Sequence, residues 1–428
     1  MAYFVYNVVF LFLFPLVIAR LLIRSIRQPE YRDRLFERLA RFPKINHQKT
    51  VIWVHAVSVG EVLAAVPLIK SLIKRYPEKQ LLVTTTTPTG SAQVKKIFAD
   101  EVLHVYAPYD FSWVVNRFLN KMKPSILLVM ETEIWPNLFR ACYKNNIPII
   151  LANARLSEKS AAGYQRFAKL TRATLKCITR IAAQGSKDAE RFIELGADRE
   201  NVSQTGSIKF DMELPDKINE QAASLRKELG EKRKVWIAAS THEGEDELML
   251  EAYEKLLSKI ENLLLVIVPR HPERFDRIAA LCEKKHLSTV RRSDQDSCTE
   301  NTQVYLVDSM GELLLFYAVS DVAFIGGSLV NVGGHNLLEA AALKVPSVVG
   351  PEMYNFAEIT EYLLQCNGII QIENESLLAD KIEMLLKDEK LRTLMGDNAY
   401  AFVDRNKGAL DQLNKIIDKV ISHRQERP

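Results

Sequence analysis

The chain has 428 residues, 47% of them hydrophobic, and a net charge of +4. That length accommodates two domains with full cores, and the near-neutral balance argues against a nucleic-acid partner. The five cysteines (Cys142, Cys177, Cys282, Cys298 and Cys366) are odd in number and include no C-x-x-C pair; they fit a reducing compartment better than a disulfide framework or a zinc site.

Residues 1–19 carry no charged side chain, and the apolar run continues past Arg20 to Ile23. This predicts a membrane anchor over 1–23, just long enough to span a bilayer. A cleaved signal peptide is the competing reading, but no basic residue precedes the run and no A-x-A-like site follows it. A basic juxtamembrane segment (24–48) comes next. Arg20, Arg24, Arg27, Arg32, Arg34, Arg38 and Arg41 would hold the chain that follows on the cytoplasmic side. A helix lying in one leaflet and kinked at Pro15 remains the alternative to a span. Both readings put the protein on a membrane.

From Thr50 apolar runs alternate with helical segments. Strands are expected at 51–56, 81–86, 125–133, 148–154 and 180–184, and helices at 61–75 and 91–98. Residues 205–215 break the rhythm, with a linker at 209–216. The series resumes with strands at 235–240, 263–269, 304–308, 321–326, 346–350 and 368–372. Continuous apolar runs separated by helices predict parallel sheets covered on both faces. The fold class is therefore α/β, with Rossmann-like domains at 49–208 and 217–405 facing across a cleft. A terminal helix (406–428) is expected to pack back toward the first domain. In such sheets ligands bind beyond the carboxyl ends of the strands.

The most informative stretch is Ile325 to Phe356. A short strand runs into Gly326-Gly327-Ser328, a second pair follows at Gly333-Gly334, and an alanine-rich helix is expected from near His335. Glycines let backbone approach a ligand, and a helix start leaves amides unpaired for a phosphate. Glu339, a turn inside that helix, is suited to ribose hydroxyls. The pattern is neither Walker A nor G-x-G-x-x-G, and tight turns alone would also use such glycines.

Other candidates sit where strands end. Glu61 opens a helix after Ser58-Val59-Gly60, which has the spacing of a capping box; it also suits a general base for a substrate hydroxyl. Both readings stand at this stage. Glu131 and Glu133 close another strand and Lys209 lies in the linker, where plain ion pairing is the simpler role. Arg270, in Pro269-Arg270-His271-Pro272, suits a phosphate or carboxylate. The turn Met310-Gly311-Glu312 could meet a base or phosphate through its backbone, and His242 is as well explained by a structural hydrogen bond. No H-E-x-x-H motif or cysteine cluster is present, and no metal or cofactor is expected. Aromatic and basic residues over 109–117 are candidates to seat a lipid acceptor, although a buried helix face is the expected role of Trp113 and Phe118.

These motifs carry a resemblance. WVHAVSVGEVLAA, TTTTPTG, METEIWPN, ANARLS, GSIKFD, STHEGE, VPRHPER, DSMGEL and GGSLVNVGGHNLLEAA, in this order and over essentially the whole chain, resemble the 3-deoxy-D-manno-octulosonic acid (Kdo) transferases of Gram-negative bacteria. Leu337 departs from the family pattern, in which proline often follows G-G-H-N. The resemblance implies two Rossmann-like domains of the GT-B type and transfer of Kdo from CMP-Kdo to a lipid A precursor (lipid IVA) at the inner membrane. It implies Glu61 as general base, with Glu131 and Lys209 stabilising the transition state. It also implies CMP contacts from Pro269, Arg270, Met310, Gly311, Glu312 and Asn336 to Glu339, that is Asn336, Leu337, Leu338 and Glu339. With the glycine-loop residues Gly326, Gly327, Ser328, Gly334 and His335, the expected mechanism is inverting and metal-independent. A UDP-sugar glycosyltransferase or epimerase and a non-catalytic nucleotide-binding protein are the alternatives.

Overall fold

The computed structural model describes residues 2–27, 29–43, 49–212, 214–294 and 298–425. Residue 1 of the anchor, residues 28 and 44–48 of the basic segment, residue 213 of the linker, residues 295–297 of the second domain and residues 426–428 of the terminal segment lie outside the described residues. The chain divides into two compact units, Met1–Asp211 with Lys407–Pro428, and Met212–Asn406.

The first unit contains seven parallel strands: β1 (Val51–His55), β2 (Gln80–Thr85), β3 (Leu103–Tyr106), β4 (Pro124–Met130), β5 (Ile149–Ala154), β6 (Arg180–Ala183) and β7 (Val202–Gln204), in the order β3-β2-β1-β4-β5-β6-β7. The second contains β8 (Lys234–Thr241), β9 (Leu263–Pro269), β10 (Thr289–Arg291), β11 (Val304–Leu306), β12 (Val322–Ile325), β13 (Ser347–Val349) and β14 (Ile369–Gln371), in the order β10-β11-β9-β8-β12-β13-β14. Every residue of β1 and β9 is buried, because helices cover both faces of a parallel sheet. The short edge strands β3, β7 and β10 were not expected; three or four residues without a sustained apolar run leave little periodic signal.

Each sheet reverses its strand order beside its first strand, between β1 and β4 in one unit and between β8 and β12 in the other. The segments leaving those four strands lie at a switch point, where open α/β sheets bind ligands.

Three expectations need correction. Residues 208–210 form a 3-10 turn, with Ile208 and Phe210 buried in the first unit, so Lys209 is on packed structure and not on a free linker. Trp113 is 51% exposed, whereas Phe118 is fully buried: the helix Ser112–Met122 turns Val114, Val115 and Phe118 inward, and Trp113 points away from them. Among the arginines after the anchor, Arg38 is 3% exposed, donates to the Thr86 carbonyl at 2.8 Å and lies over the Tyr106 ring. Arg34 pairs with Glu37 at 2.7 Å and donates to the His104 carbonyl. Both are part of the first unit's packing and unavailable as free surface charge.

The terminal helix Ala409–Gln425 buries Ala409, Leu413 and Ile417 with Leu68 and Ile69 of the helix Val59–Arg75. Asp211 fastens its start by accepting from the Gly408 and Leu410 amides at 2.6 and 2.7 Å.

Candidate active site

In the first unit, β1 leads into the helix Val59–Arg75, with Ser58 in extended conformation as its N-cap. The Glu61 amide donates to Ser58 Oγ at 3.3 Å, Ser58 Oγ donates to Glu61 Oε1 at 3.0 Å, and the Val57 amide donates to Glu61 Oε2 at 2.9 Å. The N-cap foreseen in the sequence is therefore present, while the Glu61 carboxyl returns to the Ser58 hydroxyl and the Val57 amide and not to the Ser58 amide of a capping box. That carboxyl is not an ordinary cap, however. Glu61 is 7% exposed, and burial is the main reason its pKa is pushed up to about 8. Its hydrogen bonds oppose the rise, and the neighbouring carboxylates of Glu133 and Glu131 add to it.

Those two carboxylates come from the turn after β4, which ends at Met130, one residue before Glu131. Glu131 has a φ of 55°, a left-handed conformation costly for a residue with a Cβ. Glu133 accepts from the Trp135 indole at 2.8 Å, and burial raises its pKa. Lys209 Nζ lies 3.7 Å from Glu131 Oε1. The structure thus brings Glu61, Glu131 and Lys209 into one charged group at the β1/β4 switch point. Asn153 was missed by the sequence reading. It lies near the end of β5 at φ 54°, and its Oδ1 accepts from the Ile208 amide at 3.1 Å, holding the turn that carries Lys209.

In the second unit, the first glycine pair differs from expectation. Glu245, fully buried, accepts from the amides of Gly327 (2.7 Å), Ser328 (3.1 Å), Leu329 (3.0 Å) and His242 (2.9 Å). Those amides are occupied by the protein's own carboxylate and are closed to a phosphate. Ser328 Oγ accepts from the Gly350 amide at 2.9 Å and is equally committed. Gly326 has a packing reason: a Cβ there would lie 2.4 Å from the Ser240 carbonyl oxygen. The phosphate-loop reading of Gly326, Gly327 and Ser328 is therefore replaced by an architectural one. Glu245 carries no capping-box signature, because it is the first residue of its helix and follows Gly244; its partners Gly327, Ser328 and Leu329 are distant in the chain.

The second pair is different. Gly334 has a φ of 76°, and a Cβ there would lie 2.2 Å from Met353 Sδ. The helix begins at Leu338, three residues later than expected, and is five residues long. Its dipole is correspondingly small, and local amides matter more. The backbone amides of His335, Asn336 and Leu337 meet no acceptor among the described residues, whereas Asn336 Oδ1 accepts from the Leu338 amide at 3.1 Å. Leu337 and Leu338 are buried, so only their backbone is available to a ligand. Asn336 Nδ2 donates to Glu339 at 3.1 Å, and burial raises the Glu339 pKa while Arg270 opposes the rise.

His335 stacks on His242, with centroids 5.0 Å apart and the two Nε2 atoms at 2.8 Å. Burial chiefly, with nearby Arg270, depresses both rings to about 4, so the pair is neutral at pH 7. Arg270 follows β9 and is exposed; its guanidinium has no hydrogen-bonding partner among the described residues. Arg274, by contrast, is tied to buried Asp246 and the Thr241 carbonyl. Glu312 is held by Arg292 at 2.9 Å and by Ser309 Oγ, and Met310 and Gly311 form an exposed turn. Among the described residues no group of three or more histidine, cysteine, aspartate or glutamate side chains is placed to hold a metal ion.

Comparison with known proteins identifies the chain. Residues 33–212 match the family model described as 3-deoxy-D-manno-octulosonic-acid transferase (kdotransferase), and residues 217–402 match glycosyl transferases group 1. A 3-deoxy-D-manno-octulosonic acid transferase of Haemophilus influenzae is 42% identical, over 97% of each chain. The chain belongs to the Kdo transferase family. This transferase is a glycosyltransferase, with two parallel-sheet α/β domains of GT-B type. The crystal structure of the C-terminal CMP-Kdo binding domain of WaaA from Acinetobacter baumannii is 40% identical, covering 43% of this chain and 96% of that one, with a TM-score of 0.42. UDP-GlcNAc 2-epimerase from Neisseria meningitidis is 16% identical with a TM-score of 0.54, covering 86% of the transferase and all of that chain; at that identity the likeness concerns the fold alone.

Proposed function

We propose that this enzyme transfers Kdo from CMP-Kdo to a hydroxyl of a lipid A precursor (lipid IVA) at the inner membrane, on its cytoplasmic side, by an inverting, metal-independent displacement. The observation that carries the reading is Glu61. A carboxyl with a pKa near 8 is about one-tenth ionised at pH 7 and more so as pH rises, and its ionised form accepts a proton from an alcohol far better than an ordinary glutamate. The acceptor oxygen attacks the anomeric carbon and its proton passes to Glu61. The bond between that carbon and the CMP phosphate oxygen breaks, and its electron pair leaves with CMP.

In the second unit, Arg270 and the open amides of His335, Asn336 and Leu337 take the phosphate and the charge that grows on it. The neutral His242–His335 pair supplies polar contacts beside them. Glu339, aligned by Asn336, takes the ribose hydroxyls, and the Met310-Gly311-Glu312 turn lies against the nucleotide. Lys209, paired with Glu131, balances the negative charge collected around Glu61. A monophosphate leaving group carries less charge than a diphosphate, which lets one arginine and backbone amides serve without a divalent ion. The membrane reading is supported by the Ala2–Ile26 segment, long and apolar enough to cross a bilayer by length and composition.

Titration with CMP and with UMP tests the donor: CMP is expected to bind at least tenfold tighter. Preference for UMP would favour a UDP-sugar enzyme and overturn the assignment.

A further inference from the structure

The N-terminal helix Ala2–Arg27 has 26 residues, about 39 Å at ~1.5 Å per residue. That is enough to cross a hydrocarbon core of about 30 Å. Its contacts are nevertheless inconsistent with a free span. One stripe of the helix, Tyr3, Tyr6, Asn7, Phe10, Phe14 and Leu21, is partly covered, and Ser25 on the same stripe is 1% exposed. Spacings of three and four place these residues on one face. The opposite face is bare: Phe4, Leu11, Phe12, Leu16 and Ile23 are 62 to 77% exposed.

The covered stripe carries the polar groups. Tyr6 Oη donates to Asp110 Oδ2 at 2.9 Å, and Asn7 and Asn137 exchange amide hydrogen bonds at 2.8 and 3.2 Å. Asp110 and Asn137 are only 5% and 3% exposed. Asp110 also accepts from the Asn137 and Leu138 amides at 3.0 and 2.7 Å, capping the helix Pro136–Lys144. Phe10 and Phe14 pack on Phe111, with centroids 4.7 and 4.8 Å away. For the helix to stand across a bilayer, it must either leave these groups or draw the buried Asp110–Asn137 cap into hydrocarbon. Unpaired polar groups are costly there.

We propose that the N-terminal helix lies in the plane of the membrane, its bare face sunk into a single leaflet of anionic phospholipid, with Trp113 and Arg117 at headgroup level beside it. Trp113 stacks on Phe111 at 6.3 Å, next to the aromatic contacts of the helix, and Arg117 lies 5.2 Å over the Trp113 ring. Both line an open groove with Asn116, Asn120 and Lys121. An exposed tryptophan with basic neighbours suits the interface, where its ring is half in lipid and the cations meet phosphate. Arg20 and Arg24, exposed near the other end of the helix, add positive charge on the same element.

The test is topological and does not depend on the sugar donor. Full-length chain carrying Ala2→Cys is compared in membranes with chain carrying Lys144→Cys on the globular unit. A membrane-impermeant maleimide is added to spheroplasts and to inverted vesicles, and labelling is read above that of the unsubstituted chain. An in-plane helix puts both cysteines on one side, so the two variants show the same preference between preparations. Labelling of position 2 from the opposite side to position 144 overturns the proposal. The rim is tested by flotation with vesicles containing phosphatidylglycerol. Trp113→Ala with Arg117→Glu is expected to weaken binding at least tenfold, since one basic residue near an anionic surface is worth about fivefold. Binding unchanged in a variant of unchanged Tm would remove Trp113 and Arg117 from the interface.

Discussion

Glu61→Gln separates the two roles that Glu61 fills. The substitution keeps the size and one acceptor oxygen, so the helix start loses about one hydrogen bond, worth roughly 1 kcal/mol. It removes the titrating group. Holding a carboxyl at about 8 and not at 4.5 costs the ionised folded state about 5 kcal/mol once fully expressed. Because the folded pKa is the raised one, the folded state binds the proton more tightly. Stability from this group is complete below pH 4.5 and is lost as pH rises to about 8. The cost of the buried charge outweighs the lost hydrogen bond: Glu61→Gln should be more stable than the parent at pH 8.5 and similar or slightly weaker at pH 5. Transfer from CMP-Kdo, followed by mass spectrometry of the product, should fall ~10²- to 10⁴-fold. The parent's rate should rise with pH toward 8 as the base form accumulates. Ser58→Ala is the control: it removes the N-cap, costs about 1 kcal/mol and retains the base. Transfer by Glu61→Gln within tenfold of the parent, or parallel losses of Tm and activity in both variants, would show that Glu61 is a cap and nothing more.

Arg270→Ala should weaken CMP binding by about 10- to 100-fold, the worth of a charge-assisted hydrogen bond, with Tm almost unchanged; calorimetric titration against a melting curve decides. Glu245→Gln sets an amide group against four backbone donors in a buried site, at about 1–3 kcal/mol for each donor left unpaired. Tm should drop by several degrees and CMP affinity with it, and a variant unchanged in both would discard the architectural role. Asn153→Ala should lower transfer through the Lys209 turn while leaving CMP affinity intact, and matching losses in both would point to general damage. The His242–His335 pair is neutral down to about pH 4, so between pH 7 and 5.5 CMP affinity should follow only the ligand's own phosphate, which loses charge below its second pKa of about 6, and should not rise. A rise in affinity over that interval, abolished by His335→Gln, would mean that an imidazolium forms and contacts the phosphate.

Much of this protein could be read before any coordinates. The long apolar strands were legible because a strand buried on both faces must be apolar throughout, as in β9. Glu61, Glu131, Arg270 and the second glycine pair were reachable because strand ends and glycine turns leave local marks. The marks of the first glycine pair misled for a physical reason. Two glycines signal only that backbone comes close to something, and whether that is a phosphate or a carboxylate from another segment is a tertiary fact. Here it is Glu245, more than eighty residues away in the chain. Trp113 was likewise assigned to a buried face because aromatic residues at helical spacing are usually core, and only the packing of its neighbours shows which of them point outward.

The sequence alone determined two α/β units, the family, and an apolar helix at the start of the chain, since periodicity, composition and motif order are local or cumulative properties. The tertiary structure alone decided which amides remain open, that burial among other carboxylates raises Glu61, and that Tyr6 and Asn7 bind the N-terminal helix to buried Asp110 and Asn137. Each depends on groups distant in the chain meeting within hydrogen-bond reach, where low dielectric makes an unpaired polar group or charge expensive.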